Sequence, residues 1–255
     1  MELRTIVFLI AIYAAISLSV PRVLANPELV SKRPGFVLST WFVALGIAAL
    51  SLLAALVGLV GRALAQHVVE DYSARLYVPI LENIFGWIAL GVLGILLFRF
   101  LTALGELRSA RRMLNEQCAL LIRQGEITEL FGHRVVIFDS PETIVMSVPS
   151  SRCIMVSSHV ISTLSPELLQ AALAHEQAHL DQHHGALRTA GVLAMSVAPG
   201  FSASERMAQA TRITTELLAD DAAAQKFSRH TVSQALTACF GSSPLIQERV
   251  ARLEH

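Results

Sequence analysis

Charge is scarce in this sequence. Asp, Glu, Lys and Arg make up 16% of its 255 residues, where a soluble domain carries about 25%. The formal net charge is +0 and no long Lys/Arg run occurs, which argues against direct nucleic-acid binding. Cysteine is equally sparse. Cys118, Cys153 and Cys239 are scattered, odd in number and form no Cys-x-x-Cys pair, so a disulfide framework is not expected and reduced, buried thiols are. No internal repeat or low-complexity stretch is visible.

What is abundant is apolar: 53% of the residues are hydrophobic and the mean hydropathy is +0.55, above the roughly 45–50% apolar content of soluble domains. Three segments, at about residues 5–25, 36–61 and 84–104, read as transmembrane helices; a span needs about 20 apolar residues. The first must include Arg22 to reach that length. A cleaved signal peptide is the rival reading, with Arg4 as its positive start and Val23-Leu24-Ala25 as a small-residue site; Arg22 in the cleavage region and the two later spans favour retention. The second segment has no charge and many Gly and Ala, as close-packed membrane helices do. In the third, Arg99 can snorkel to one interface and Trp87 suits the other.

Lys and Arg set the orientation. Arg22, Lys32 and Arg33 follow the first segment, and Arg108, Arg111 and Arg112 follow the third; Arg62 and Arg75 stand beside Glu70 and Asp71 in the second loop. The positive-inside rule then puts the N-terminus and second loop outside, and the C-terminal half in the cytoplasm. The second loop, about residues 65–83, is too short for a folded sensor domain. The expected division is a membrane domain over 1–104 and a second domain over 105–255.

From Glu106 the pattern changes. Residues 106–124 read as a charged helix leaving the membrane. Residues 134–138, 143–148 and 153–156 read as strands, with a turn at Asp139-Ser140-Pro141. Ser165 and Pro166 form a helix start, and that helix is expected to run to about His183, with Gly185 ending it. The apolar stretch 187–201, broken by Pro199-Gly200, is short for a fourth span and reads as a helix packed on the core or dipping toward the membrane surface. Leu253-Glu254-His255 has the composition of an affinity-tag remnant and is given no role.

Chemistry concentrates in two motifs. His175-Glu176-Gln177-Ala178-His179 is HExxH on a predicted helix. The i, i+4 spacing puts both imidazoles on one face, where they can bind one Zn2+ while Glu176 serves as general base. A catalytic zinc needs a third protein ligand and an open fourth position. The continuation HExxHxxGxxH fails, since Gln182 and Gly185 stand where it needs Gly and His. Thr215-Glu216-Leu217-Leu218-Ala219-Asp220 offers the other known layout: Glu216 as ligand, Asp220 one turn on to orient a ligand His, and small Ala219 to permit close helix approach. Asp221 competes for the role of Asp220 at a less suitable offset. Arg249 admits two readings, a contact to substrate or oxyanion and a structural salt bridge. His183 and His184 read mainly as cations at a helix end.

HExxH followed by ExxAD resembles the gluzincin integral-membrane peptidases: HtpX, the CAAX prenyl endopeptidases and the BlaR/MecR-type antirepressor peptidases. The resemblance covers about residues 106–253, with weaker agreement at Val148-Pro149, at the strand 153–156 and at Glu248-Arg249-Val250-Ala251-Arg252-Leu253. It implies a mainly α membrane protein in which three transmembrane helices precede a cytoplasmic α+β zincin-like peptidase domain with a small sheet. Three spans with the N-terminus outside are closest to the BlaR/MecR type and imply cleavage of a cytoplasmic transcriptional repressor. HtpX similarity implies membrane-protein quality control instead. No obvious fourth span and no external penicillin-binding domain are present, so β-lactam sensing does not carry over. The expected partners are a protein or peptide substrate and the lipid bilayer. A non-enzymatic membrane signalling scaffold with a structural zinc is the reading from another class, because structural sites fill all four positions with protein ligands.

Overall fold

A computed structural model describes residues 1–24, 26–66, 77–197 and 202–254. The helices α1 (Leu3–Leu24), α2 (Pro27–Lys32), α3 (Pro34–Gln66) and α4 (Tyr77–Gln124) come first. Four strands follow, β1 (Glu126–Leu130), β2 (His133–Phe138), β3 (Val145–Val148) and β4 (Cys153–Ser157). The chain continues through α5 (Ser158–Thr163), α6 (Pro166–Asp181), α7 (His184–Val197), α8 (Ser202–Ala224), α9 (Arg229–Phe240) and α10 (Pro244–Glu254).

Among the described residues, three helices are long and apolar enough to cross a membrane: Leu3–Leu24, Pro34–Ala65 and Ile80–Gln124, whose most apolar stretches have mean hydropathies of 2.1, 2.6 and 2.2. Only 6%, 28% and 11% of their most apolar windows is buried, an apolar surface far larger than a soluble monomer leaves uncovered. The expected third span and the expected charged helix after Glu106 are one element of 48 residues. No Pro separates them, and a lone Gly105 weakens a helix by only about 1 kcal/mol. Residues 67–76 of the expected outer loop, Ala25 of the alternative cleavage site and Pro199-Gly200 lie outside the described residues.

The chain forms two compact units. One comprises Met1–Val30, Phe36–Gly105 and Gly191–Ala210. Its buried cluster joins Leu24, Val37, Trp41, Met207 and Ala210. Arg62 pairs with Glu82 across α3 and α4, and Arg99 donates from Nε and Nη2 to the Ser196 carbonyl at 3.2 and 3.1 Å. The stretch expected to be too short for a span is helical through Val197. The 14 residues of α7 extend about 21 Å at the helical rise, short of the roughly 30 Å hydrocarbon layer.

The other unit comprises Ser31–Gly35, Glu106–Ala190 and Thr211–His255. Its sheet runs β1-β2-β4-β3, with β2 and β4 parallel and the other pairs antiparallel. β4 is central and buried at every position. Its alternation splits the core: Ile154 and Val156 join Val135, Leu169 and Leu173 of α6, while Cys153 and Met155 join Val136, Phe138 and Cys118 of α4. Each such aliphatic side chain contributes about 1.5–3 kcal/mol by burial. A third cluster packs Ala171 and Ala174 of α6 against Ala223, Val232, Leu236, Ile246 and Leu253. Leu253 is therefore a core residue, and Glu254 accepts a hydrogen bond from Ser233 at 3.4 Å, so these two residues have packing partners where sequence alone assigned them no role. The chain reversal after α6 is also placed differently from expectation: it occurs at Gln182-His183, where His183 has φ 52, and Gly185 lies inside α7.

Candidate metal centre

Ser165 caps α6, its hydroxyl accepting from the Leu168 N–H at 3.4 Å, and Pro166 opens the first turn. Ten of the sixteen residues of α6 are buried, because the sheet covers one face and α8, α9 and α10 cover others. His175, Glu176 and His179 are thereby withdrawn from water, at 2%, 6% and 9% exposure. Their potential ligand atoms lie within 4.8 Å of one another.

The two Nε2 atoms of His175 and His179 are 3.2 Å apart. A small ion bound tetrahedrally at about 2.0–2.1 Å holds two ligand nitrogens about 3.3–3.4 Å apart, so this pair fits a single metal ion. Ala223, packed on Ala171 and Ala174, lets α8 come close. Glu216 then lies with Oε2 3.5 Å from His175 Nε2 and Oε1 3.8 Å from His179 Nε2. Glu176 belongs to the tight cluster and Glu216 stands at its rim, where guanidinium groups also hold it: Arg188 pairs with Oε1, and Arg249 Nη1 with Oε2 at 2.9 Å.

Asp220, one turn beyond Glu216, has no exposed surface. Its Oδ1 is 3.0 Å from His175 Nδ1, although the ring N–H is out of line for a hydrogen bond and Nδ1 has no other partner. Arg249, 4% exposed, grips Asp220 with Nε and Nη2 at 2.8 and 2.7 Å. Its guanidinium is thus directed at Asp220 and Glu216 from within the core. Asp221 pairs with Arg252 at 2.8 Å instead of approaching His175. Across the site, Glu176 Oε2 accepts from the Ser147 N–H of β3 at 2.7 Å.

These contacts set the charges. Burial works against a charged His175, but Asp220 and Glu216 outweigh it and raise its pKa to about 9. Burial and the nearby charge of His175 lower His179 to about 3. His184, buried beside Arg188, falls to about 4. Burial opposes ionisation of Glu216 and Asp220, yet His175 and Arg249 hold both below the usual carboxylate range. Glu176 moves the other way, raised by burial and only partly restrained by His175 and Ser147. Cys239, buried near Glu176, is pushed up to about 12 and stays a thiol.

No family model, curated protein or solved structure matches the chain. The structure brings together His175, Glu176, His179, Glu216, Asp220 and Arg249. It adds three residues that no sequence pattern indicated in these roles: Ser147, Arg188 and His184, the last with its Nδ1 2.8 Å from His179 Nδ1. His133 contacts Gln177 at 3.3 Å and takes no part.

Proposed function

We propose that the chain is a membrane-embedded zinc metalloendopeptidase, with His175, His179 and Glu216 as ligands and Glu176 as general base. The observation that carries this reading is the 3.2 Å separation of two buried imidazole nitrogens with a carboxylate 3.5 and 3.8 Å from them. Bound there, zinc would polarise a peptide carbonyl and acidify water. Glu176 would take a proton from the attacking water and deliver it to the leaving amine; its burial-raised pKa suits a carboxylate that must hold that proton briefly. The Ser147 N–H holds one oxygen of Glu176 and fixes the carboxylate plane. Arg249 acts as a positioning residue, clamping Asp220 and Glu216. β3 is an edge strand and offers an extended substrate a backbone to pair with. Regulated cleavage of a cytoplasmic protein is the favoured biological role, with α1, α3 and α4 as the spans and the sheet-bearing unit inside by the positive-inside rule.

One observation favours a structural zinc instead: Glu176 lies inside the tight cluster, and as a fourth protein ligand it would close the site. Glu176→Gln separates the two readings. The peptidase reading expects zinc content to persist while hydrolysis of a peptide library, or of cellular substrates compared by proteomics, falls at least a thousandfold, on the scale of losing a general base. Loss of zinc, or unchanged cleavage, would refute it.

A further inference from the structure

We propose that His184 is a positioning residue which, together with Gln182, presets His179 as a metal ligand by fixing the ring nitrogen that carries its proton. The inference rests on reading His179 as a ligand, but not on any hydrolytic activity.

His184 is 1% exposed, and a polar ring so deeply buried must find partners for its nitrogens. It finds two. Nε2 lies 3.2 Å from Gln182 Oε1, and Nδ1 lies 2.8 Å from His179 Nδ1. The amide oxygen can only accept, so His184 Nε2 carries the hydrogen. His184 Nδ1 is then a bare acceptor, and the hydrogen in the 2.8 Å contact belongs to His179 Nδ1. That leaves His179 Nε2 with a free lone pair, and this is the atom 3.2 Å from His175 Nε2. Turning the Gln182 amide end for end would reverse every donor and place the hydrogen on His179 Nε2, where it blocks a metal.

The backbone is shaped to deliver the contact. His183 sits at φ 52, a region that residues with a β-carbon avoid. The resulting reversal between α6 and α7 folds His184 back against the last turn of α6. The two candidate ligand rings consequently face unlike partners: Asp220 Oδ1 lies 3.0 Å from His175 Nδ1, and an imidazole lies 2.8 Å from His179 Nδ1. Partners of this kind commonly change metal affinity by about 10- to 100-fold.

The test is zinc affinity of the full-length chain in detergent or nanodiscs, by competition with a chromophoric chelator, for wild type, His184→Ala, His184→Asn and Gln182→Glu. His184→Ala should weaken zinc binding about 10- to 100-fold. His184→Asn, whose amide oxygen can accept from His179 Nδ1, should recover most of that loss. Gln182→Glu, which can only accept, should bind like wild type. Wild-type affinity in His184→Ala, or equal losses in the Ala and Asn variants, would overturn the proposal while leaving the metal site intact. A wild-type chain that binds no zinc would remove the metal site and this inference together.

Discussion

His175 and His179 occupy the same helix one turn apart, both buried, yet the metal-free protein holds them in opposite states. The first keeps its proton up to about pH 9 and the second sheds it above about pH 3. Burial alone would lower both, since it disfavours any charge. The difference comes from what each side faces. Around His175 stand two carboxylates, Asp220 and Glu216, braced by Arg249. Beside His179 stands a second imidazole, His184, with Arg188 nearby. A cluster with a charged side and a neutral side accommodates one proton when empty, and two neutral imidazoles can bind a cation once that proton leaves.

The comparison breaks most severely at Arg249. Arg249→Ala would leave Asp220 buried without its guanidinium partner, and losing one partner of such a pair costs about 3–5 kcal/mol. Thermal unfolding in chelator should show a large fall in midpoint; a change within about 0.5 kcal/mol would mean that Arg249 does not brace this side.

The next largest effect is pH dependence. Below about pH 9, zinc must displace the proton on His175, so apparent affinity should rise about tenfold per pH unit between pH 6 and 8. A flat profile would contradict the charged state of His175. Stability of the metal-free protein sharpens the same contrast. His175 has a raised pKa, so its contribution is complete below its ordinary 6.5 and is lost as pH rises through about 9. For His179 the lowered pKa makes the unfolded chain take the proton first, so its effect is a loss of stability as pH falls from 6.5 toward 3. His175→Gln should therefore cost more at pH 6 than at pH 9.5 in chelator melts, whereas the cost of His179→Gln should shrink as pH falls below 6.

The smallest expected effect is at Glu176. Burial raises its pKa, so its ionised form weighs against folding at neutral pH. Glu176→Gln should raise metal-free stability by up to about 2 kcal/mol, the range found when a residue kept for function and not for stability is replaced. A clear loss of stability would assign Glu176 a structural role.

Much of this is legible in the sequence. HExxH places two imidazoles on one face because a helix repeats every 3.6 residues, and the Glu216–Asp220 spacing marks a second helix face in the same way. The apolar segments announce α1, α3 and the first half of α4 by length alone. What was not legible depends on tertiary placement. β1, Glu-Ile-Thr-Glu-Leu, lacks a strand's apolar alternation and forms because β2 pairs with it across the Phe131-Gly132 turn, where φ is 53 and 78. His184 read as a helix-end cation because the reversal at His183 leaves no periodic signal. Arg188 had none either, since its partner Glu216 is 28 residues away.

The central claim, that two imidazoles of α6 and a carboxylate of α8 converge on one ion, is tested most directly by X-ray absorption at the zinc edge on full-length protein carrying one equivalent of zinc. Two imidazole nitrogens and carboxylate or water oxygens at about 2.0–2.1 Å are expected, with both imidazoles retained and the oxygen shell altered in Glu216→Ala. Failure to take up one equivalent, or a spectrum that Glu216→Ala leaves unchanged, would contradict it.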